Sequence, residues 1–193
     1  MTKIAIIFHS ASGTTAQLAN AIANGVQEVS GCQAVIHEIL GRDILEGRFR
    51  NEALLAQLDT ADALIFGAPT YMGSASAQFK AFADATSERW ETQRWRNKLA
   101  AGFTVGSNPN GDQGHTMQYF SILASQHGML WVGLDIPGGY DADGRNRQGL
   151  QLGMSAHTTQ PKVPAADLAT ATYLGKRIAL LAATGISKPS RLA

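Results

Sequence analysis

The 193-residue chain is poor in cysteine, in net charge and in long apolar runs, and each shortage excludes a class of protein. Its one cysteine, Cys32, rules out an internal disulfide framework and fits a reducing compartment. A formal net charge of +1 provides neither the basic surface that binds nucleic acid nor an acidic carrier surface. No apolar run reaches the ~18 residues of a membrane span, and the first residues, MTKIAIIF, lack a signal peptide's cleavage site. We therefore expect a cytoplasmic protein without a membrane span and without a nucleic-acid partner.

Charged residues are also few: they make up 16% of the chain, whereas hydrophobic residues make up 45%. An average soluble domain has about 25% charged residues. A surface so poor in charge is expected where part of it is buried between subunits, although a large core would give the same composition. We predict a homo-oligomer, either a dimer or a tetramer. The length fits a single domain over residues 1–193.

The chain lacks the motifs of several common ligand sites. It has no GxxxxGK[ST] phosphate loop, no GxGxxG after the first apolar run and no GxSxG nucleophile elbow. The first strand end carries no carboxylates, which excludes a phosphoacceptor receiver domain. The five histidines and one cysteine show no metal-ligand spacing, so we predict no metal site.

Short apolar runs alternate strictly with helix-period segments. The runs are almost continuously apolar, which is typical of parallel strands covered on both faces. This alternation predicts an α/β sandwich. The predicted strands are residues 4–8, 34–39, 63–67, 100–105 and 130–134. The predicted helices carry Leu18, Ile22, Val26 and Val29; residues 51–58; residues 75–87; Met117, Phe120, Ala124 and His127; and, after Pro164, Leu168, Ala171, Leu174, Ile178 and Leu181.

Residues 135–164 break this pattern, since they are rich in Gly, Asp, Gln and Pro and have no clear period. A loop of this length inside a compact domain is usually functional or disordered. Two interpretations stay open: an ordered loop that contributes to a site or a subunit interface, and disorder.

The loop HSASGTT, residues 9–15, follows the first predicted strand and carries four hydroxyl side chains. Gly13 permits an unusual backbone angle there, and the N–H groups of the following helix point outward. Such a group of donors favours a phosphate. The structural alternative is capping, because Thr14 and Gln17 have capping-box spacing. Capping explains one hydroxyl but not four.

Two further loops follow the third and fourth predicted strands. In GAPTYMGSASAQF, residues 67–79, Pro69 stiffens the turn, Tyr71 supplies an aromatic face and Gly73 allows close backbone approach. VGSNPNGDQGHT, residues 105–116, offers backbone polar groups in a turn-rich loop. Because the carboxyl ends of parallel strands share one edge of the sheet, the three loops should meet. A phosphate site beside flat walls and backbone polar groups predicts bound flavin mononucleotide, FMN.

The motifs HSASGTT, APTYMGS with QFKAF and Asp84, W-x4-W-x2-KLAAGF and HGM together give a family resemblance. The chain resembles the flavodoxin-like WrbA-type NAD(P)H:quinone oxidoreductases from Lys3 to the YLGKRIA segment near residue 173, most strongly between Gly67 and Met129. The resemblance implies a flavodoxin-like three-layer sandwich whose five-stranded parallel sheet has the order 2-1-3-4-5. It also implies bound FMN, in a pocket completed by neighbouring subunits of a tetramer.

The resemblance implies a role for each matching residue. Trp90 and His127 match positions that line the flavin pocket, and His127 is predicted only to donate a hydrogen bond to the electron acceptor. Their structural alternatives are a helix anchor for Trp90 and a helix C-terminal cap for His127. The other predicted cofactor-binding residues are Ser10, Ser12, Gly13, Thr14 and Thr15 for the phosphate; Pro69, Thr70, Tyr71, Met72 and Gly73 beside the isoalloxazine ring; and Thr104, Gly106, Ser107 and Asn108 at its pyrimidine side.

The function predicted from these residues and from the resemblance is FMN-dependent, ping-pong hydride transfer. NADH or NADPH reduces the flavin and leaves, and a quinone then accepts two electrons. Three alternatives stay open: a one-electron flavodoxin-type carrier, an FMN or azo reductase, and a flavin-binding regulatory or interaction module.

Overall fold

The computed structural model describes residues 1–139 and 141–185, which form a mainly parallel sheet with helices on both faces. In chain order the elements are β1 (Thr2–Phe8), α1 (Thr14–Gln27), β2 (Cys32–Glu38), β3 (Ile44–Leu45), β4 (Arg48–Phe49), α2 (Glu52–Asp59), β5 (Ala63–Tyr71), β6 (Ser74–Ala75), α3 (Ala77–Asp84), α4 (Ser87–Glu91), β7 (Leu99–Gly106), α5 (Gln113–Gln126), β8 (Leu130–Trp131), β9 (Met154–His157) and α6 (Ala165–Ala183).

The sheet has the order β2-β1-β5-β7-β8, which confirms the predicted order 2-1-3-4-5. Alternate residues of each central strand enter two separate cores. In β1, Ile4 and Ile6 pack against α1 and α6, whereas Ala5 and Ile7 pack on the side of α2, α3 and α5. Burial on both faces explains why the central strands read as continuous apolar runs.

The fifth strand position is split, which corrects part of the sequence analysis. β8 pairs only with the start of β7, at Leu99 and Ala100, while β9 pairs with the end of β7, from Phe103 to Gly106. The predicted strand 130–134 is therefore shorter than expected, and a strand lies inside the segment predicted to be irregular. Four residues, MSAH, are too few to show a hydrophobic period.

The chain between β8 and β9 is ordered by specific hydrogen bonds in its described residues. The Leu134 N–H donates to the Gln151 carbonyl at 2.8 Å, which joins the two ends of the segment. Asn146 is buried, and its side chain donates to the Ile136 carbonyl at 2.8 Å and accepts from the Leu150 N–H at 3.1 Å. These bonds support the ordered-loop interpretation.

Helices α1 and α6 touch backbone to backbone through two glycines. A Cβ atom built on Gly25 would lie 1.9 Å from the Thr172 carbonyl oxygen, and one built on Gly175 would lie 2.0 Å from the Ile22 carbonyl oxygen. Real Cβ atoms essentially never approach so closely. The glycines thus set the distance between the two helices.

No helix within residues 1–139 and 141–185 combines the length and the apolar character needed to cross a bilayer. Over the same residues, no three His, Cys, Asp or Glu side chains gather closely enough to hold a metal ion.

Candidate functional site

A cavity of about 380 Å³ opens at the carboxyl ends of β1, β5, β7 and β9. Its volume lies within the range of roughly 300–1,000 Å³ that is usual for small-molecule sites. The three predicted loops meet here. The predicted residues that line the cavity are Ser12, Thr14, Pro69, Thr70, Tyr71, Gly106 and Ser107, and Val105, Thr158, Thr159, Gln160 and Pro161 complete the lining.

The first loop leaves the N-terminus of α1 open to the cavity. Gly13 is the N-cap residue, with a φ of 86°, and no side chain caps the helix. The Ser10 hydroxyl oxygen accepts from the N–H groups of Gly13 at 3.2 Å and Ala16 at 3.3 Å. The N–H groups of Thr14 and Thr15 have no acceptor among the described residues. Both can therefore donate to a ligand.

The capping-box interpretation of this loop is wrong. The Gln17 side chain does not return to the start of α1. Its amide nitrogen donates to the Pro161 carbonyl at 2.7 Å, and its amide oxygen accepts from the Val163 N–H at 3.0 Å. Gln17 thus fastens the loop after β9 beside the open helix end.

The N-terminus of α1 suits an anionic ligand both in its electrostatics and in its hydrogen-bond donors. The first turn of α1 contains no acidic residue, so no carboxylate competes with a bound anion. The Ser12 and Thr14 hydroxyls lie 3.0 Å apart and both face the cavity. Two hydroxyls, two N–H groups and the positive end of a 14-residue helix are the donors that a phosphate requires.

The second loop is a tight hairpin whose turn is Met72–Gly73. Both residues have positive φ, 47° and 79°, which is typical of a two-residue type I′ turn. The Gly73 carbonyl accepts from the His115 ring nitrogen at 2.6 Å. Met72 is fully exposed at the tip and does not line the cavity, whereas Pro69, Thr70 and Tyr71 do.

The third loop enters the cavity with its first three residues, Val105, Gly106 and Ser107. The Asn108 carbonyl accepts from the Gln113 side chain at 2.6 Å, and Asn108 is not part of the cavity lining. Thr104 is wholly buried and donates to the Ala68 carbonyl at 2.7 Å. Neither Thr104 nor Asn108 lines the cavity, and the contacts with the pyrimidine side that the resemblance implied for them stay predictions.

The sequence did not predict the fourth wall of the cavity, which is the loop that follows β9. Thr158, Thr159 and Gln160 follow β9, and the Thr158 N–H donates to the Gly106 carbonyl at 3.0 Å, which brings the loop beside the third one. The available signal was a pair of hydroxyl residues directly after a short apolar run. That run lay inside the segment predicted to be irregular.

Trp90 and His127 lie at the opposite edge of the sheet, so within one chain they are not part of this cavity, and their contact with a flavin in a pocket completed by neighbouring subunits stays a prediction. The Asn97 N–H, just before β7 begins, donates to the Gly128 carbonyl at 2.9 Å. The Gln93 side chain joins the carbonyls of Trp90 and Gln126 at 2.8 and 3.1 Å. Trp90 is 48% exposed, so it is not a core anchor either.

His127 is a buried residue next to the C-terminus of α5, as its structural alternative predicted. Its exposed fraction is 1%, and its ring lies 4.5 Å from that of Trp95. The Thr86 hydroxyl donates its proton to the Ala83 carbonyl at 2.7 Å, so at 2.8 Å it must accept from His127 Nε2–H. Nδ1 then carries no proton and has no partner in the described residues. Burial lowers the pKa of His127 from 6.5 to about 4.

This histidine should make the protein sensitive to mild acid. The unfolded chain binds a proton near pH 6.5 and the folded chain only near pH 4, so stability should fall as the pH drops through this window. The expected loss from this residue is about 3 kcal/mol. Urea unfolding at pH 7 and pH 4.5 measures it in the wild type and in His127→Gln, whose amide can still donate to Thr86. Parallel pH curves for the two proteins would contradict the assignment.

The chain matches the model of the NADPH-dependent FMN reductase family over residues 2–137. Among curated proteins it is similar to flavodoxin FldP of Pseudomonas aeruginosa, with 36% identity over 93% of this chain and 96% of the relative. It is equally similar to an NAD(P)H dehydrogenase (quinone) of Archaeoglobus fulgidus, with 36% identity over 94% of this chain and 98% of the relative.

The chain is also similar to a solved structure over nearly its whole length. The fold is similar to that of the flavodoxin, WrbA-like protein from Agrobacterium tumefaciens, with a TM-score of 0.76 and 38% identity. The match covers 95% of this chain and 99% of the other. The similarity therefore extends well beyond residues 2–137, over nearly the whole chain.

Proposed function

Because the chain belongs to the NADPH-dependent FMN reductase family, we propose that it binds FMN in the cavity at the carboxyl edge of the sheet and transfers two electrons from NADH or NADPH to a quinone. One observation carries the proposal. The N-terminus of α1 presents two unpaired N–H groups and two hydroxyls to this cavity, with no acidic side chain among its lining residues.

Each loop around the cavity would bind a different part of FMN. Ser12, Thr14 and the N–H groups of Thr14 and Thr15 would hold the phosphate. Pro69, Thr70 and Tyr71 would form one wall beside the ring, with Gly106 and Ser107 at its edge. Bound FMN would supply the reversible two-electron chemistry.

The cavity lining supports hydride transfer without a side-chain acid or base. None of its residues is Asp, Glu, Lys, Arg or His, so nothing there would take a proton from, or give one to, the substrates near neutral pH. The protons that a quinone takes up on reduction would come from solvent. One open cavity also supports a ping-pong order, in which donor and acceptor occupy the same space in turn.

A one-electron carrier is the second candidate, because one relative at 36% identity bears the name flavodoxin. The chain's net charge of +1 weighs against it, since a carrier that docks on basic partners needs an acidic surface.

The single domain over 1–193, the homo-oligomer and the cytoplasmic location stay predictions. The contacts of Trp90 and His127 with flavin in a pocket completed by a neighbouring subunit also stay predictions; in the single chain Trp90 is exposed and His127 is buried.

An anaerobic titration tests the proposal. The protein is loaded with FMN, reduced with NADH or NADPH, and then mixed with benzoquinone while the visible spectrum of the flavin is followed. We expect direct bleaching by the nucleotide and full recovery with quinone, without a stable semiquinone. A bound flavin that neither nucleotide reduces would favour the carrier. Absence of FMN binding would overturn the proposal.

A further inference from the structure

Three threonine hydroxyls form a hydrogen-bonded chain behind the cavity wall. Thr70 on β5 lines the cavity, and its hydroxyl oxygen lies 2.8 Å from that of Thr104 on β7 and 2.8 Å from that of Thr116 on α5. Thr104 and Thr116 are wholly buried. The Thr104 hydroxyl also lies 2.7 Å from the Ala68 carbonyl oxygen.

The direction of every bond in this chain follows from proton counting. A carbonyl oxygen can only accept, so Thr104 gives its one proton to Ala68. Thr104 must then accept from Thr70, which uses the one proton of Thr70. Thr116 must in turn donate to Thr70. The chain runs from Thr116 to Thr70 to Thr104 to the Ala68 carbonyl.

Thr70 lines the cavity and is only partly buried, so a ligand that reaches its hydroxyl oxygen meets a hydrogen-bond acceptor whose proton points away. We infer that Thr104 is a positioning residue that turns Thr70 into a hydrogen-bond acceptor, and that Thr70 accepts from a ring N–H of the bound flavin. The inference rests on the proposed function, because it names a contact of the same site. A flavin carbonyl placed against Thr70 would set two acceptors face to face, so among the polar groups of the ring system only an N–H satisfies both partners. Oxidised flavin carries such an N–H at N3, and reduced flavin carries another at N5.

Two buried threonines provide a matched pair of variants. Thr104→Val removes the acceptor of the Thr70 proton, so Thr70 becomes free to point that proton into the cavity. Thr116→Val removes a donor to Thr70 but leaves the bond from Thr70 to Thr104 in place. Both variants lose one buried hydroxyl and keep the side-chain shape, so both should lose similar stability. A purely structural role would make their FMN affinities fall together.

The expected result is a split between the two variants. FMN affinity is measured by flavin fluorescence quenching for the oxidised form and from the shift of the flavin midpoint potential for the reduced form. In at least one of the two states it should fall about tenfold in Thr104→Val, and in both states it should stay within about twofold of wild type in Thr116→Val. Thr104→Ser should restore it. Thr70→Val should match the loss of Thr104→Val, and the double variant should lose no more than either.

Comparing oxidised with reduced FMN on Thr70→Val distinguishes the two ring positions. An equal loss in both states assigns N3–H, and a loss confined to the reduced state assigns N5–H. Equal FMN affinity in Thr104→Val and Thr116→Val in both oxidation states, or tighter binding by Thr70→Val, would overturn the inference while leaving the proposed function intact. If Thr104→Val does not fold, Thr70→Val alone decides, since unchanged affinity there for both oxidised and reduced FMN overturns the inference. A wild-type protein that binds no FMN would overturn both.

Discussion

Replacing Ser12 with aspartate is expected to abolish FMN binding while making the folded protein slightly more stable. Ser12 is exposed at the open end of α1, and its hydroxyl lies 3.0 Å from that of Thr14. A carboxylate near a helix N-terminus stabilises the helix by about 0.3–1 kcal/mol. The same carboxylate would repel a phosphate held by these donors by about 3 kcal/mol at 6 Å, which corresponds to a loss of affinity of about a hundredfold or more.

Ser12→Asp is informative because it is expected to raise the stability of the folded protein while lowering its affinity for FMN. FMN and riboflavin differ only in the phosphate, so Ser12→Asp should lose FMN and keep whatever affinity the wild type has for riboflavin. Ser12→Asn is the uncharged control and should keep most FMN affinity. Thermal unfolding without ligand checks the small gain in stability. Equal losses for both ligands would place the phosphate elsewhere.

Alanine at position 175 is expected to destabilise the fold by about 3 kcal/mol or more. The new Cβ would lie 2.0 Å from the Ile22 carbonyl oxygen, so α1 and α6 would have to move apart along their whole contact. The expected destabilisation is opposite to the effect of helix propensity, because alanine in place of glycine stabilises an isolated helix by about 1 kcal/mol. The expected loss is therefore a measure of the close helix contact alone.

Gly114 on α5 is the matched control. A Cβ there would meet only the Leu150 side chain, at 3.9 Å, so Gly114→Ala should be neutral or stabilising. Urea unfolding of Gly175→Ala, Gly25→Ala and Gly114→Ala compares the three sites. If Gly175→Ala unfolds at the same urea concentration as Gly114→Ala, then the two backbones do not meet as described.

The central sheet was predictable because its strands are buried on both faces. Ile4, Ile6 and Ile7 leave no ambiguity about a buried strand in β1, and four hydroxyls around Gly13 marked the donor-rich loop. The helix predicted over 75–87 is present but shorter, as α3, while Ala75 belongs to β6 and Ser87 begins α4. Ser74–Ala75 pairs with the end of β5, and this pairing depends on the Met72–Gly73 turn rather than on hydrophobic period.

What the sequence could not show depends on contacts between distant residues. Gln17 looked like part of a helix cap, but its partners are Pro161 and Val163, more than 140 positions away. Within one chain, the direction of α5 carries His127 to the edge of the sheet opposite the cavity. Neither outcome has a signal in local composition or spacing, because both follow from tertiary packing.

The backbone contact between α1 and α6 also sets the order in which the molecule can fold. Gly25 meets Thr172 across nearly the whole chain, so the entropy of closing a very long loop opposes this contact until the sheet between them has formed. During synthesis α1 leaves the ribosome long before α6. Until α6 arrives, Leu18, Ile22 and Val26 lack the helix that covers them in the folded structure. The nascent chain is therefore expected to be prone to aggregation until α6 has been made.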